Sequence, residues 1–404
     1  MTSDCVAHGT VQLLMDIQNL TTTSVGECGV SKDRRLSPAL PGMDTPSPLV
    51  GKKVVGILLG EGIGAEVLGA VSDVLDQLFD RSEQGVEIRR EDALPATMAD
   101  GSLSPDALRF CESVFHEGGA MLCGPLGGRQ VYELRAAFDL FCKFTPVRPS
   151  LALLDTGALR PETRREVNLV VVRENAGGIY FGDWHYQRGD PLGGKAVHSF
   201  QYTEEEVTRI ILVALRAAER RSGVLTLIVK SGGVPAISEL WKDVFDECVR
   251  GKSLSTRILD VDNATYQILA SACEFDVIVS PNLFGDILSD ATALLLGSRG
   301  LSFSGNFSES GVAVYQTGHG AAHNIAGDDI ANPIGQVLAA AMMLRESFGM
   351  LEEAEIIEGA IEKTLLSGIR TTDIASADST IVGTREMGRC IARAVADFSL
   401  APGT

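Results

Sequence analysis

The sequence contains no run approaching the roughly 20 apolar residues that a helical membrane span needs, and no such span is expected. Basic residues are not in excess either: 35 Lys and Arg stand against 53 Asp and Glu, a net charge of −18. No basic stripe is available to displace counterions from phosphates, which argues against a nucleic-acid partner. An anionic small molecule remains compatible with this balance only where positive charge is concentrated locally. The eight cysteines include no C-x-x-C pair and no even framework, so reduced thiols in a cytoplasmic setting are expected rather than disulfides or zinc. Residues 1–50 lack the basic start and apolar core of a secretory signal, and Asp4, Asp16 and Glu27 do not suit an arginine-rich transit peptide. Ser, Thr, Pro and Gly dominate there, which predicts a disordered extension over 1–50.

What is present is a chain of 404 residues, 45% apolar and 22% charged, long enough for two ordinary domains. Strands and helices alternate without internal repeat, which predicts an α/β class. A buried strand over 54–59 runs through Gly60-Glu61-Gly62-Ile63-Gly64 into a helix over 65–79. Such a turn brings backbone N–H groups up to a phosphate, or is merely tight; it is not the G-x-G-x-x-G fingerprint, and no acid about 20 residues on completes it. A helix is expected over 132–141, carrying Arg135. A strand over 169–172 delivers Arg173, Glu174 and Asn175, then Tyr180, around the pair Gly177-Gly178. Four charged, amide or phenolic groups at one strand end exceed what an ordinary turn needs.

Lys230 ends a strand over 225–229. A lysine there can be desolvated until it acts as a base, or can pair with an acid on the surface. Asp262 is expected to end a strand over 257–261 and to open a helix, where its plain role would be an N-cap. The stretch 282–290, Asn-Leu-Phe-Gly-Asp-Ile-Leu-Ser-Asp, follows a short β-branched run and Pro281. Asp286 and Asp290 are four apart on a helix, so their carboxylates share a face. They suit a hard divalent cation, or are solvated acids favoured by the helix dipole. The loop over 315–332, with His319 and His323 among small residues, precedes a Pro-initiated helix and suits a flat ligand.

Together these motifs resemble the β-decarboxylating dehydrogenases, the family of isocitrate, 3-isopropylmalate, homoisocitrate and tartrate dehydrogenases. The resemblance runs from about residue 52 to 399 and is most specific over 173–182, 282–290 and 319–333. It implies a two-domain isocitrate/isopropylmalate dehydrogenase-like α/β fold, not a Rossmann fold, with 51–140 plus 297–404 as a large domain and 141–296 as a small one. It implies oxidation of a 2-hydroxy acid by NAD or NADP and loss of carbon dioxide, with Mg²⁺ or Mn²⁺. The metal ligands would be Asp286 and Asp290 with Asp262 from the second copy of a homodimer. Arg135 and Arg173 would hold carboxylates, Lys230 from the second copy would be the base, and Tyr180 the acid. The cofactor would lie along Gly62, His319, Gly320, Ala321, Ala322, Asn324 and Asn332.

The chain departs from that pattern at substrate positions. Where the family has Asn-Leu-Arg-Pro this sequence has Lys143-Phe144-Thr145-Pro146, so Thr145 stands for an arginine and Lys143 or Arg148 must compensate, or the substrate differs. Lys230-Ser231-Gly232 lacks the family's amide near the nicotinamide. Asn324 replaces the Asp or Lys that separates NAD from NADP users, and NAD is expected. Arg129 and Val131 replace the Ser and Asn of isocitrate enzymes, so Val131 and Tyr132 would face an apolar 3-substituent. The expected activity is therefore NAD-dependent oxidative decarboxylation of a 3-substituted malate. The rivals are a tartrate- or malate-directed enzyme and a non-catalytic regulatory subunit.

Overall fold

The computed structural model describes residues 35–41, 53–80, 85–90, 98, 101–189 and 193–399. The first half of the chain comprises β1 (Lys53–Leu58), α1 (Gly64–Phe79), β2 (Val86–Arg90), α2 (Pro105–His116), β3 (Ala120–Cys123), α3 (Gln130–Ala137), β4 (Cys142–Val147), β5 (Leu169–Glu174), and the hairpin β6 (Asp183–Gln187) with β7 (Lys195–Ser199). There follow α4 (Glu204–Glu219), β8 (Val224–Val229), α5 (Pro235–Val249), β9 (Ser255–Asp260), α6 (Val261–Ala270), β10 (Val277–Ser280) and α7 (Asn282–Leu296). The chain closes with β11 (Phe303–Phe307), β12 (Ala313–Thr317), α8 (Ile334–Phe348), α9 (Leu351–Leu366), β13 (Ile369–Arg370), β14 (Thr380–Ile381) and α10 (Thr384–Ser399).

Local chemistry accounts for many of these boundaries. In α1, Val67, Leu68, Val71, Val74, Leu75 and Leu78 recur at helical spacing and are all buried. Ser104 caps α2 by accepting the Asp106 N–H, with Pro105 at the first helical position. Thr203 and Glu206 form a reciprocal capping box on α4. Helix α3 is shorter than the expected 132–141, because Asp139 adopts a left-handed conformation and the Leu140 N–H returns to the Arg135 carbonyl.

Ten strands form one sheet, in the order β2-β1-β3-β12-β11-β4-β5-β10-β8-β9. The strands β2, β1, β3 and β12 are parallel to one another, as are β5, β10, β8 and β9. Between the two blocks, β11 is antiparallel to both its neighbours, and β4 is antiparallel to β11 and β5. The blocks therefore run in opposite directions, which no doubly wound Rossmann sheet does. One continuous apolar core spans both blocks, and a smaller one lies under α2. No helix among the described residues is long and apolar enough to cross a membrane.

The expectation of disorder over 1–50 needs correction at 35–41. Leu36, Ser37, Pro38, Ala39 and Leu40 are buried, and Ser37–Ala39 forms a turn of 3₁₀ helix. The cause is a distant acceptor: one oxygen of the buried Glu346 on α8 receives the Leu36 N–H at 2.8 Å and the Ser37 N–H at 2.7 Å. The rest of the expected extension lies outside the described residues.

Candidate active site

The site is built on one face of the sheet and on α7. Lys143 in β4 lies directly opposite Arg173 in β5 and Asn306 in β11, so their side chains leave the same face; Gln316, two residues along β12 from the partner of Asn306, joins them. Helix α7 crosses this face at close range. A Cβ on Gly285 would stand 2.6 Å from Ser280 Oγ and 2.8 Å from Arg173 Cβ and Cγ, so only glycine lets the Arg173 stem pass. The helix is held at both ends. At its start the Asn282 N–H donates to the Tyr202 hydroxyl at 3.0 Å, and the Asn282 carboxamide donates to the Gly177 carbonyl at 2.8 Å. At its end the buried Arg164 donates to the carbonyls of Leu295 and Leu296, and Gly297 turns left-handed.

The expected residues Arg173, Tyr180 and Asp286 meet here. Arg173 donates through Nε to Asn282 Oδ1 at 2.9 Å and through Nη1 to Asp286 Oδ1. The Tyr180 hydroxyl donates to the other Asp286 oxygen at 2.8 Å. Burial by itself would raise the Asp286 pKa, but the Arg173 charge, the tyrosine hydrogen bond, Lys143 and Arg135 outweigh it and hold this carboxyl below its usual range. The Tyr180 hydroxyl is pushed up by burial and by the carboxylate it bonds, and stays protonated.

Arg173 and Asp286 border a cavity of about 210 Å³, also lined by Val131, Tyr132, Arg135, Lys143, His319 and Gly320; Tyr180 is not among its lining residues and is tied to it through Asp286. The Tyr132 ring lies 5.1 Å from that of Tyr180, with the Arg135 guanidinium 5.4 Å from its centroid. Arg135 is 5% exposed, and its Nε and Nη1 have no partner among the described residues. Burial and the neighbouring Arg173 lower its pKa, and burial, Arg173 and Arg135 hold that of Lys143 well below the usual lysine range. A cavity so lined favours an anion. Arg148, the other candidate to compensate for Thr145, is exposed and does not border the cavity. Thr145 is buried, with its hydroxyl 3.5 Å from that of Ser289.

Lys230, Asp262 and Asp290 do not line this cavity. Lys230 Nζ is 2.7 Å from Asp262 Oδ1 and 3.8 Å from Asp260 Oδ2 on the surface. Of the two readings left open for Lys230, the single chain shows the surface pair with an acid: the Asp262 hydrogen bond holds the ammonium charged and raises its pKa. Nor is Asp262 an N-cap: Asp260 precedes the helix, and Asp262 is the second residue of α6. Asp290 pairs with Arg299 at 2.8 Å. Asp286 and Asp290, one turn apart on α7 and each facing an arginine, fit a hard divalent ion in donor type and spacing. Among the described residues no three His, Cys, Asp or Glu side chains gather into a complete metal site, so a third carboxylate would have to come from elsewhere.

Beside the cavity the first glycine turn meets the His319 loop. Gly62 is left-handed, and a Cβ there would collide with the Ala321 carbonyl, which accepts the Ile63 N–H at 2.9 Å. Ala322 is held left-handed, and His323 and Asn324 are exposed. His319 Nε2 is buried without a partner among the described residues, an open acceptor or donor beside the cavity, and burial lowers its pKa. These features fit a flat, hydrogen-bonding ligand. The Asn332 side chain is committed otherwise: it donates to Asp373 at 3.1 Å and accepts the Ile334 N–H at 3.0 Å, so it shapes the loop.

Three contributors were not singled out from sequence: Asn282, Tyr202 and Arg164. Asn282 carried a signal, since it lies four residues before Asp286 and so on the same helical face. Tyr202 and Arg164 reach α7 from distant segments and carried none.

Residues 54–391 match the model of the isocitrate/isopropylmalate dehydrogenase family. The chain is 34% identical over 372 residues to the 3-isopropylmalate dehydrogenase of Geobacillus kaustophilus, covering 87% of this chain and 97% of that one. It is 37% identical over 379 residues to the 3-isopropylmalate dehydrogenase of a Synechococcus strain, covering 89% and 98%. The solved isocitrate dehydrogenase of Methylococcus capsulatus superposes with a TM-score of 0.74 at 30% identity, over 85% of this chain and 99% of that one. With this sheet, this α7 and these matches, the chain belongs to the isocitrate/isopropylmalate dehydrogenase family.

Proposed function

We propose that the protein is an NAD-dependent dehydrogenase that oxidises and decarboxylates a 3-substituted malate of the 3-isopropylmalate type, with Mg²⁺ or Mn²⁺. The observation that carries this reading is the convergence of Arg135, Lys143 and Arg173 on one cavity whose lining carboxylate, Asp286, accepts a hydrogen bond from the Tyr180 hydroxyl. The names of the relatives support the same substrate type. In this reading the cationic side chains bind and orient the carboxylates of the acid. Val131 and Tyr132 face its 3-substituent. A bound dinucleotide would supply the hydride acceptor for the carbinol carbon, and a divalent ion would supply positive charge at the resulting keto oxygen, stabilising the enolate left when the 3-carboxylate departs as carbon dioxide. Lys230 accepts the hydroxyl proton, and Tyr180 returns a proton to the carbon that has lost carbon dioxide. Asp286 and Asp290 hold the ion. Asn324 favours NAD, being able to bond a ribose hydroxyl while offering no charge to a 2′-phosphate.

The reading includes a homodimer in which Lys230 and Asp262 serve the cavity of the other copy, and two domains, 51–140 with 297–404 and 141–296, that border the cavity. The fully exposed β6–β7 hairpin, with Trp184 and Tyr186 more than half exposed, supports an interface between copies. The test is NADH formation and carbon dioxide release from 3-isopropylmalate with Mn²⁺, where both should appear in equal amounts. The Tyr132 ring among the cavity's lining residues favours, as a second reading, a smaller malate- or tartrate-type substrate; turnover of those acids and not of 3-isopropylmalate would select it. A regulatory subunit would give no NADH with any of them.

A further inference from the structure

The three cations of the cavity are not equivalent. Arg173 is already bonded to Asn282 and Asp286. Arg135 is packed on Tyr132 with two buried nitrogens open. Lys143, only 6% exposed, reaches the same cavity and has no hydrogen-bond or ion-pair partner among the described residues. Asp286 is the only carboxylate among the described residues that lines the cavity, so in the empty site burial disfavours a charge on Arg135 and Lys143, and a bound carboxylate favours the ammonium form of Lys143 by pairing with it. One carboxylate on a bound acid leaves one of them unmatched, and an unmatched buried charge is costly. Two carboxylates match both.

We infer that Lys143 is the specificity-determining cation by which this site requires a second carboxylate on its substrate. Strand geometry leaves it without a rival on β4. Residues 143 and 145 point to the same face, but Thr145 is uncharged, buried against Ser289 and outside the cavity, and Arg148 is exposed to solvent. The charge that β4 contributes is thus a lysine ammonium, a point charge on a flexible stem rather than a fixed fork. It follows a carboxylate over a range of positions, and so secures the charge of the second carboxylate without fixing its angle. The inference rests on reading the cavity as a 2-hydroxy-acid site, but not on the assigned turnover.

The test compares 3-isopropylmalate with 2-hydroxyisocaproate, the same acid without its 3-carboxylate. Binding to the full chain is measured by titration calorimetry with Mn²⁺ and without dinucleotide, so that no turnover intervenes. The wild type should prefer the dicarboxylate by at least roughly 30-fold, the scale of truncating a buried charge pair. Lys143→Met and Lys143→Gln should erase that preference, weakening 3-isopropylmalate far more than 2-hydroxyisocaproate. Thermal melting checks that each variant is folded, and either folded variant decides the matter. An unchanged preference, or equal loss for both acids, overturns the inference, as does a wild type that binds neither acid. A wild type that shows this Lys143-dependent preference yet reduces no NAD leaves the inference standing and refutes the proposed reaction instead.

Discussion

Tyr180 donates its hydroxyl to the oxygen of Asp286 that faces away from Arg173, so one carboxylate is held between a phenol and a guanidinium. The arrangement orients Tyr180 and keeps Asp286 ionised. Its pKa lies below the ordinary value of 3.8, so the carboxylate's contribution to stability is full above the usual carboxylate range and lost as pH falls through the lowered folded value. Asp286→Asn should therefore flatten the acid limb of a melting-temperature profile below about pH 4. At neutral pH it should cost about 1–2 kcal/mol, a modest figure because the Asp286 side chain is 45% exposed. An unchanged acid limb would remove the ion pair from the stability account.

Tyr180→Phe retains the ring against Tyr132 and removes only the hydroxyl. If Tyr180 is the proton donor, kcat with 3-isopropylmalate should fall by about 10²-fold or more, the usual scale for a general acid, with KM little changed. Steady-state NADH assays separate the two parameters. A fall in kcat/KM arising wholly from KM would make Tyr180 a binding residue instead.

Gly285→Ala tests the close passage of Arg173 beneath α7. Helix propensity alone predicts a gain of roughly 0.8–1 kcal/mol from this change. The contacts of 2.6 and 2.8 Å that the new methyl would meet predict the opposite, a loss of about 1–3 kcal/mol. The sign of the change in thermal or urea denaturation decides between them.

Much of the site was legible because it is local. A β-branched strand carrying Arg173 near its end and an Asp286-x-x-x-Asp290 helix are local patterns, and the resemblance to a known family chose between the readings they left open. What was not legible depends on pairing across long separations. That Lys143 stands opposite Arg173 is a matter of antiparallel register between β4 and β5, which no local periodicity encodes. That 35–41 is buried depends on an acceptor more than 300 residues away, while its own composition is that of a linker. Whether Lys230 is a desolvated base or a surface partner of an acid was open from its strand-end position, and in the single chain its surroundings are two nearby aspartates and solvent.

Glu346→Ala should release that segment. The Leu36 and Ser37 N–H groups would lose their shared acceptor, at a cost of about 1–3 kcal/mol if they stay buried. Undocking relieves the penalty, so amide hydrogen exchange at Leu36 and Ser37 should accelerate well beyond any change in the sheet. Equal acceleration everywhere would mean a global loss of stability with no particular role for the carboxylate.

The proposed sharing of the active site between copies makes the sharpest prediction. Lys230→Met alone and Asp286→Asn alone should each be inactive, while Lys230→Met should hardly change the melting temperature, because the pair with Asp262 is exposed and screened by solvent. Unfolding and refolding the two inactive variants together produces mixed dimers. In these, one cavity combines an intact Asp286 from the first chain with an intact Lys230 from the second, and the other cavity carries both defects. Activity should reappear on mixing, to at most half that of the wild type for each mixed dimer. If Lys230 acted within its own chain, each cavity of a mixed dimer would carry one defect, and mixing would restore nothing.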